Sequence, residues 1–410
     1  MKIVFLNPVG VIGGAERVLL TMLTALNTQP NIQLHLIVGT DGALIEQAEK
    51  LGVQVTLLKL PEEFNQLGDS AFKGNSKTIA IFILLLRVVK TLPSIGKYLR
   101  EFKRSLRELK PDLIHSNGIK THVLTALVGI KDVPIVWHIH DFYGSRPLIA
   151  QVLKWLSVGV ARRRHRATLG IAISQAVAQD ARNTLPCLPI EVIYNAIDVN
   201  YFSPAPLSLH LTLRVGLVAT FARWKGHDIF LKAIGNIVRS HPHLNVHFYI
   251  IGGAIYQTRG SQFSEQELKN LASDIGITDK VDFLGFQQDI AEIYRWLDIV
   301  VHASTEPEPF GLAIIEAMAC GKPVIVSQAG GATELFTHNY DAVGVPPGEP
   351  IALAAAILDL LDKTEKRQII SVNARLTATE RFSHERLHQQ ILEVYTHANT
   401  FLRQKKSMNK

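Results

Sequence analysis

Short apolar runs alternate with helical patterns along most of the 410-residue chain, and this alternation limits the fold more than any other feature. The first run, 2–7, is followed by glycines and then by apolar residues at helical spacing from about Ala15. The same order recurs late in the chain, where the run 299–301 precedes a helical pattern that starts at Leu312. Strands that alternate with helices form βαβ units, which place their strands in parallel sheets.

The pattern divides the chain into two predicted α/β domains. The predicted strands of the first part are 2–7, 32–38, 53–58, 112–115, 135–140, 169–174 and 192–195, and those of the second part are 214–220, 246–253, 281–286, 299–301, 323–326 and 341–347. We predict two Rossmann-like, doubly wound domains at 1–200 and 212–382, joined by an uncharged, proline-containing linker at 201–211. Residues 383–410 are predicted to form a C-terminal helix that could pack back on the first domain.

Composition narrows the class of protein. Apolar residues make up 47% and charged residues 19%, which fits a folded enzyme and argues against disorder. The two cysteines, Cys187 and Cys320, cannot build a disulfide framework or a cysteine-based metal site, and they favour a cytoplasmic setting. The N-terminus lacks the long apolar region of a signal peptide. The longest apolar run, 79–86, is far shorter than the roughly 20 residues that span a bilayer.

The net charge of +7 is concentrated in two segments, 71–110 and 154–166. Residues 94–110 predict an amphipathic helix with Ser94 as N-cap, whose apolar stripe favours core packing over a membrane surface. Peripheral contact of 79–110 and 162–166 with an anionic membrane nevertheless stays open. Nucleic-acid binding is disfavoured because no recognised motif and no interleaved aromatic residues accompany the charges.

The stretch from Asp298 to Gly331 contains two strand-to-helix turns, each with glycine at the turn. Helix N-termini carry unpaired N–H groups and partial positive charge, so such turns suit a phosphate. Glu308 lies in the first loop, and Glu316 lies in the helix that follows. A phosphate site beside two carboxylates predicts a ligand that has both phosphates and hydroxyls.

An ordered series of motifs extends over nearly the whole chain, and its strongest member pairs Glu308 with Glu316. The motifs are GGAE at 13–16, WHIHD at 137–141, IAIS at 171–174, YNAID at 194–198, FARWKGHD at 221–228, FLGF at 283–286 and EPEPFGLAIIE at 306–316. In this order they resemble the family 4 glycosyltransferases, the retaining, nucleotide-sugar-dependent enzymes of GT-B fold. The resemblance implies two Rossmann-like domains that face each other across a cleft.

The resemblance also implies roles for individual residues. Lys225 and Arg223 would stabilise the departing nucleoside diphosphate, Glu308 would accept hydrogen bonds from the transferred sugar, and His140 matches the active-site histidine. Fixed cations suit a leaving diphosphate, and carboxylate oxygens suit hydroxyl donors. The implied donor-binding residues also include Glu316 for the ribose, the backbone of Phe310, Gly311 and Leu312 for the diphosphate, Gly13 and Gly14 in the first-domain loop, and Gly252, Gly253 and Phe286 near the base.

One departure concerns the diphosphate site. The family usually has an arginine a few residues before the Lys-Gly pair, but Thr220 stands there and Arg223 follows three residues later. Either Arg223 takes over that work, or Lys225 acts alone. No Asp-x-Asp motif occurs in the sequence, which agrees with a diphosphate held by cations and helix dipoles. His138 and His140 share one strand face but have no evident third metal ligand. We therefore expect no metal and no cofactor beside the nucleotide-sugar substrate.

The predicted activity is metal-independent, retaining transfer of a hexosyl unit from a UDP- or GDP-linked donor to a hydroxyl of a carbohydrate or lipid-linked acceptor. We expect it in cell-surface polysaccharide or glycolipid synthesis, in the cytoplasm or at the cytoplasmic membrane face. The alternatives are a sugar-phosphate or disaccharide synthase, a sugar-nucleotide epimerase, and a non-catalytic nucleotide-sugar-binding partner. A dinucleotide dehydrogenase is disfavoured, because GVIGGA at 10–15 does not fit the G-x-G-x-x-G pattern and no acidic residue ends the strand 32–38.

Overall fold

The computed structural model describes residues 1–61, 77–128, 130–145, 147–162, 168–205, 212–254 and 260–407. The chain forms two compact units, unit 1 with Met1–Tyr194 and Glu385–Lys410, and unit 2 with Asn195–His384. Residues 195–200, which the sequence pattern placed with the first domain, thus lie in unit 2. Residues 206–211 of the predicted linker and 163–166 of the basic cluster lie outside the described residues, as do the side chains of 77–92.

Unit 1 is built on a seven-stranded parallel sheet with helices packed on it. Its strands are β1 Lys2–Asn7, β2 Gln33–Val38, β3 Gln54–Leu57, β4 Leu113–Asn117, β5 Ile135–Ile139, β6 Thr168–Ala172 and β7 Ile190–Val192. Among the described residues of unit 1, the helices before the C-terminal one are α1 Gly14–Asn27, α2 Ala43–Lys50, α3 Lys77–Leu109, α4 Ile119–Val128, α5 Pro147–Arg162 and α6 Gln175–Thr184. The strand order is β3-β2-β1-β4-β5-β6-β7. Central strands such as β1 are almost wholly buried, as expected when helices cover both sheet faces.

Unit 2 repeats the architecture with six parallel strands. They are β8 Leu213–Val218, β9 Val246–Ile251, β10 Val281–Gly285, β11 Ile299–His302, β12 Val324–Ser327 and β13 Val343–Val345. The helices are α7 His227–Ser240, α8 Glu265–Ile275, α9 Ile290–Trp296, α10 Leu312–Ala319, α11 Pro350–Asp362 and α12 Thr364–Phe382, with short 3₁₀ turns at Arg223–Lys225 and Gly331–Glu334. The strand order is β10-β9-β8-β11-β12-β13.

Each sheet has one point at which its strand order reverses. In unit 1 the chain adds β2 and β3 on one side of β1 and then returns to place β4 on the other side. In unit 2 the same reversal separates β8 from β11. Ligands of open parallel sheets bind outside the carboxyl ends of the strands at such a reversal. A ligand-binding site is therefore expected among the residues that follow β1, β4, β8 and β11.

The boundary predicted at Ser94 is wrong. α3 runs from Lys77 to Leu109 with Pro93 inside it, so Ser94 does not cap a helix. A proline inside a helix removes a backbone hydrogen bond, and α3 continues through Pro93 despite that loss. Tyr98, Phe102 and Leu106, spaced four apart, are all buried in unit 1. Among the helices of the described part of the chain, none is long and apolar enough to cross a membrane.

The C-terminal helix α13, His384–Ser407, belongs to unit 1 from Glu385 onward. It buries one face, which includes Leu387, Ile391 and Tyr395 at helical spacing. The Tyr395 hydroxyl lies 2.9 Å from Nδ1 of His115 in the middle of β4. The helix thus covers the sheet face that carries His115.

Candidate functional site

Three loops of unit 2 meet beyond the carboxyl ends of β8, β11 and β12. The Thr305 N–H donates to the carbonyl oxygen of Trp224 at 2.8 Å, which joins the β11 loop to the β8 loop. The Glu308 N–H donates to the Ala329 oxygen at 3.2 Å, and the Gly331 N–H donates to the Glu308 oxygen at 2.7 Å. These bonds fix the backbone on both sides of the Glu308 side chain.

Two glycines make this junction possible. Gly226 has a φ of +73° and Gly330 a φ of +67°, a left-handed conformation that disfavours other residues. A Cβ at Gly226 would overlap the backbone oxygen of Ala303, and one at Gly330 would crowd the backbone of Glu308. The loops approach so closely that residues with side chains do not fit.

An ion pair lies at the reversal of the unit 2 sheet. Lys225 Nζ is 2.6 Å from Glu308 Oε2, and the two side chains are 21% and 13% exposed. The Ser304 hydroxyl donates to the same carboxylate oxygen at 3.0 Å, and His302 Nε2 lies 3.3 Å from it. Lys225 and Glu308 were predicted from the sequence as site residues, whereas His302 and Ser304 were not. The sequence VHAS at 301–304 could have indicated them, because it ends a buried strand with polar residues.

Glu308 is ionised at neutral pH. Burial raises the pKa of this carboxyl, but Lys225 and His302 together outweigh burial and hold its pKa well below the usual range. An ionised carboxylate only accepts hydrogen bonds, so Glu308 suits ligand hydroxyls. Lys225 beside it supplies a positive charge for an anion. The pair can therefore bind a ligand that carries both kinds of group.

The first turn of α10 lies next to this pair. Gly311 is its N-cap with a φ of +112°, and the helix starts at Leu312 directly after the buried Phe310. The backbone of these three residues stands at a helix N-terminus, where an anion is favoured. Glu316, further along α10, is buried and accepts a hydrogen bond from the Tyr294 hydroxyl at 3.1 Å.

Arg223 does not contact Glu308, the carboxylate that pairs with Lys225, but forms an ion pair with Glu267. Its Nη2 donates to Glu267 Oε1 at 2.8 Å, and its Nε donates to the Gly260 oxygen at 3.2 Å. Glu267 belongs to the capping box at the start of α8, so Arg223 supports that helix end. Thr220, at the position of the family's arginine, has a buried hydroxyl that makes no hydrogen bond within the described residues.

The residues implied for the base lie at the ends of β9 and β10. Gly252 has a φ of +138° and donates its N–H to the Gly285 oxygen at 2.9 Å. A Cβ at Gly252 would overlap the Ala219 oxygen after β8. Phe286 is 66% exposed and lies beside Gly253. An exposed aromatic ring at strand ends offers a face on which a planar base can stack.

In unit 1, Gly13 and Gly14 form the start of α1. Gly13 is the N-cap, and its N–H donates to Glu16 Oε2 at 3.0 Å. The first helical residue, Gly14, is exposed. Glu16 is only 8% exposed and neutralises part of the positive end of its own helix.

His140, directly after β5, ends a chain of buried polar side chains. Its Nε2 lies 2.6 Å from Asn117 Oδ1, and Asn117 Nδ2 donates to Asn7 Oδ1 at 2.7 Å. Asn7 Nδ2 in turn donates to Glu16 Oε1 at 3.2 Å. His140 was predicted from the sequence as a site residue. Asn7 and Asn117 were not, although each is the polar last residue of a buried strand, β1 and β4 respectively.

Further histidines share this face of the sheet. His115 Nε2 lies 3.3 Å from His138 Nδ1. Burial lowers the pKa of His140 to about 3, and burial with repulsion from His140 lowers that of His115 to about 3. Burial also holds the pKa of His138 well below its usual value. These rings are neutral at physiological pH. The residues described in the structure contain no group of three or more His, Cys, Asp or Glu side chains arranged to hold a metal ion.

The two parallel-sheet units and the site residues at their strand ends define a glycosyltransferase of GT-B fold, as comparison with known proteins confirms. Residues 12–201 match the family described as Glycosyltransferase Family 4, and residues 212–377 match Glycosyl transferases group 1. The chain belongs to the family 4 glycosyltransferases. The predicted family and fold are therefore confirmed.

Individual relatives agree with this assignment. The structure of Anabaena Alr3699/HepE in complex with UDP-glucose has a TM-score of 0.77 and 28% identity, covering 97% of this chain and 99% of that one. The uncharacterized glycosyltransferase MJ1607 of Methanocaldococcus jannaschii is 26% identical over 70% of this chain and 75% of its own length. The D-inositol 3-phosphate glycosyltransferase of Corynebacterium kroppenstedtii is 30% identical, but the match covers 51% of this chain and 48% of that protein.

Proposed function

We propose that this chain is a retaining hexosyltransferase that moves a sugar from a UDP-linked donor to a hydroxyl of a carbohydrate or lipid-linked acceptor. The observation that carries the proposal is the Lys225–Glu308 pair at the reversal of the unit 2 sheet. The similarity to HepE, whose structure contains UDP-glucose, supports a uridine donor, and GDP-sugars are the alternative to test. We place the reaction in cell-surface polysaccharide or glycolipid synthesis.

In this proposal unit 2 binds the donor. The Lys225 ammonium has three N–H donors, so it can stay paired with Glu308 and also bind the diphosphate. The first turn of α10, at Gly311 and Leu312, adds backbone N–H groups. Glu308 accepts hydrogen bonds from hydroxyls of the transferred sugar, and Glu316 accepts them from the ribose. Phe286 and Gly252 contact the base in this proposal.

The proposed chemistry is front-face displacement. The acceptor oxygen bonds to the anomeric carbon on the side from which the diphosphate leaves. The bond from the anomeric carbon to the diphosphate oxygen breaks, its electron pair stays on that oxygen, and the acceptor's proton moves to the diphosphate. Lys225 stabilises the negative charge that develops there. Unit 1, with His140, supplies the acceptor side.

The diphosphate is held in this proposal by Lys225 and the N-terminus of α10, without a resident metal. The test compares transfer rates in EDTA with rates in added Mg²⁺ or Mn²⁺, and equal rates are expected. A rate that requires the metal would overturn this part of the proposal and leave the donor assignment in place.

The main experiment incubates the protein with UDP- and GDP-hexoses and an acceptor panel, with mass-spectrometric detection of products and released nucleoside diphosphate. Lys225→Met and Glu308→Gln should each lower kcat/KM about 100-fold or more, as expected for groups that stabilise developing charge. Lys232→Met is the matched control, because Lys232 forms an exposed ion pair with Asp228 in the same unit. Full activity in both site variants would refute the assignment.

The anomeric configuration of the product, read by NMR, tests retention. A product of inverted configuration would refute the retaining mechanism. Donor binding without turnover over the whole acceptor panel would instead favour a non-catalytic nucleotide-sugar-binding partner.

We also propose peripheral association with the cytoplasmic membrane face through the basic segments 79–110 and 162–166. The support is their excess of lysine and arginine, which attracts anionic lipid. The test is flotation with vesicles that contain anionic lipid, compared with a variant whose charges at 162–166 are neutralised. Equal flotation of the two proteins would contradict a role for 162–166.

A further inference from the structure

We propose that Glu16 acts through Asn7 and Asn117 as a positioning residue that holds His140 as the neutral Nε2–H tautomer. His140 Nδ1 then presents a lone pair that accepts a hydrogen bond from a substrate hydroxyl. The tautomer follows from contacts within unit 1 alone, whereas its use on a substrate rests on the proposed function.

The orientation of the Asn7 amide is the first step. Its Nδ2 lies 2.6 Å from the carbonyl oxygen of Val9 and 3.2 Å from Glu16 Oε1. Both neighbours are acceptors, so the NH₂ group must face them. The reversed amide would place its oxygen against two other oxygens. Asn7 Oδ1 therefore faces Asn117.

The orientation of Asn117 follows from that of Asn7. The group that lies 2.7 Å from Asn7 Oδ1 must be a donor, so it is Asn117 Nδ2. Asn117 Oδ1 then faces His140 Nε2 at 2.6 Å. An amide oxygen only accepts, so the imidazole proton is on Nε2. Asn7 and Asn117 are both buried, so water does not offer either amide an alternative partner.

The neutral ring has its lone pair on the other nitrogen. Because burial lowers the pKa of His140 to about 3, the ring carries a single proton at physiological pH. Within the described part of the chain, His140 Nδ1 makes no hydrogen bond, and the nearby His138 ring lies tilted with its centroid 4.0 Å away. We call the hydrogen-bonded series from Glu16 through Asn7 and Asn117 to His140 the relay. Because the relay uses Nε2 of His140, Nδ1 is the ring nitrogen that can accept another hydrogen bond.

The relay needs a carboxylate at position 16. Glu16 Oε1 accepts from Asn7 Nδ2, and Glu16 Oε2 accepts from the Gly13 N–H at 3.0 Å. Glutamine has the same shape but one oxygen and one NH₂ group. It can satisfy only one of the two donors and must turn its own donor against the other. Glu16→Gln therefore disturbs the relay without creating a cavity.

The experiment reads the tautomer directly. The full-length protein is labelled with ¹⁵N-histidine, and long-range ¹H–¹⁵N NMR spectra are assigned for His140 by comparison with His140→Gln. The wild type is expected to show a protonated Nε2 and an unprotonated Nδ1 at neutral pH. Glu16→Gln is expected to shift the ring toward a mixture of tautomers. Glu46→Gln is the matched control, because Glu46 forms an exposed ion pair with Lys50 on α2, and it should leave the spectrum unchanged.

A second pair of variants keeps the proposal falsifiable if Glu16→Gln folds poorly. Asn117→Asp keeps an acceptor at His140 Nε2, so it should keep the Nε2–H tautomer and raise the pKa of the ring. Asn117→Leu removes the acceptor at Nε2, so the His140 ring should become a mixture of the two neutral tautomers. A wild-type ring protonated on Nδ1, or an unchanged ring in both Glu16→Gln and Asn117→Leu, would overturn the inference.

The substrate part is measured with a donor and acceptor pair found in the transfer assay. Glu16→Gln should lower kcat about tenfold, the effect of one weakened hydrogen bond, with KM for the donor nearly unchanged. An unchanged kcat together with a disturbed tautomer would overturn the role of Nδ1 on the substrate. A chain that transfers no sugar would refute the proposed function. The NMR result would still show whether Glu16 sets the tautomer of His140.

Discussion

Replacing Lys225 by methionine tests whether the ion pair holds the loop junction of unit 2 together. The change keeps an unbranched apolar side chain and removes the charged terminal amine, and it leaves Glu308 buried beside His302 and Ser304. Loss of one partner of a fully buried pair costs about 3–5 kcal/mol. Both side chains here keep some contact with water, at 21% and 13% exposure, so we expect roughly 2–3 kcal/mol.

Hydrogen exchange at the junction measures this free energy. The Gly331 N–H is bonded to the Glu308 oxygen and the Thr305 N–H to the Trp224 oxygen, so both amides exchange when the loops separate. At about 1.4 kcal/mol per factor of ten, Lys225→Met should speed their exchange about 30- to 150-fold. Adding Glu308→Gln to Lys225→Met completes a double-mutant cycle that isolates the coupling between the two charges.

The coupling should depend on pH in a defined direction. The folded-state pKa of Glu308 lies below its unfolded value of about 4.3, so its stabilisation is fully present above that pH and is lost as the pH falls through the folded pKa. We expect a constant coupling from about pH 5 to 7 and a decline below about 4.3. A coupling under about 0.5 kcal/mol at pH 7, the level of an exposed pair, would refute the reasoning. Lys232→Met should leave both amides unchanged.

Two further predictions concern packing. Gly226→Ala should lower the thermal midpoint of unfolding more than Gly276→Ala. Both glycines have a left-handed backbone, in which a residue with a side chain costs about 1–2 kcal/mol. Only at Gly226 would the added Cβ also overlap the backbone of Ala303. Equal losses by calorimetry would mean that the close approach is unimportant. Burial raises the pKa of Cys320 to about 12, so its thiol should not react with an alkylating reagent at pH 8 in the native protein. The exposed Cys187 should be modified alone in the native protein, and both thiols should be modified in denaturant. Mass spectrometry counts the modified thiols. Native labelling at Cys320 would contradict its burial.

The alternation of strands and helices was sufficient to predict both parallel sheets, because each βα unit is a local pattern. It also placed Lys225 and Glu308 directly after strands. The partners of these residues depend on strand order, which local patterns do not contain. Lys225 meets Glu308 from 83 residues away only because β8 and β11 are neighbours. Arg223 is held by Glu267 in α8, and no spacing in the sequence indicated that contact.

Local sequence patterns mispredicted one helix boundary and did not reveal one polar network. Ser94 was predicted to cap a helix, yet α3 runs through Pro93 and Ser94 and buries Tyr98, Phe102 and Leu106 further along. Asn7 and Asn117 look like ordinary turn residues at strand ends. Their role became visible only when β1 and β4 proved to be adjacent.

A polar pair joins the two strand ends at the reversal of each sheet, and the two pairs differ in what they can still bind. In unit 1 the amides of Asn7 and Asn117 match donor to acceptor at 2.7 Å and pass their orientation on to His140. In unit 2 the Lys225 ammonium and the Glu308 carboxylate lie 2.6 Å apart, and each has bonding capacity beyond that contact. A phosphate and a hydroxyl can therefore join the pair in unit 2 without breaking it. In our two proposals, the same topological position orients a histidine in unit 1 and binds a ligand in unit 2.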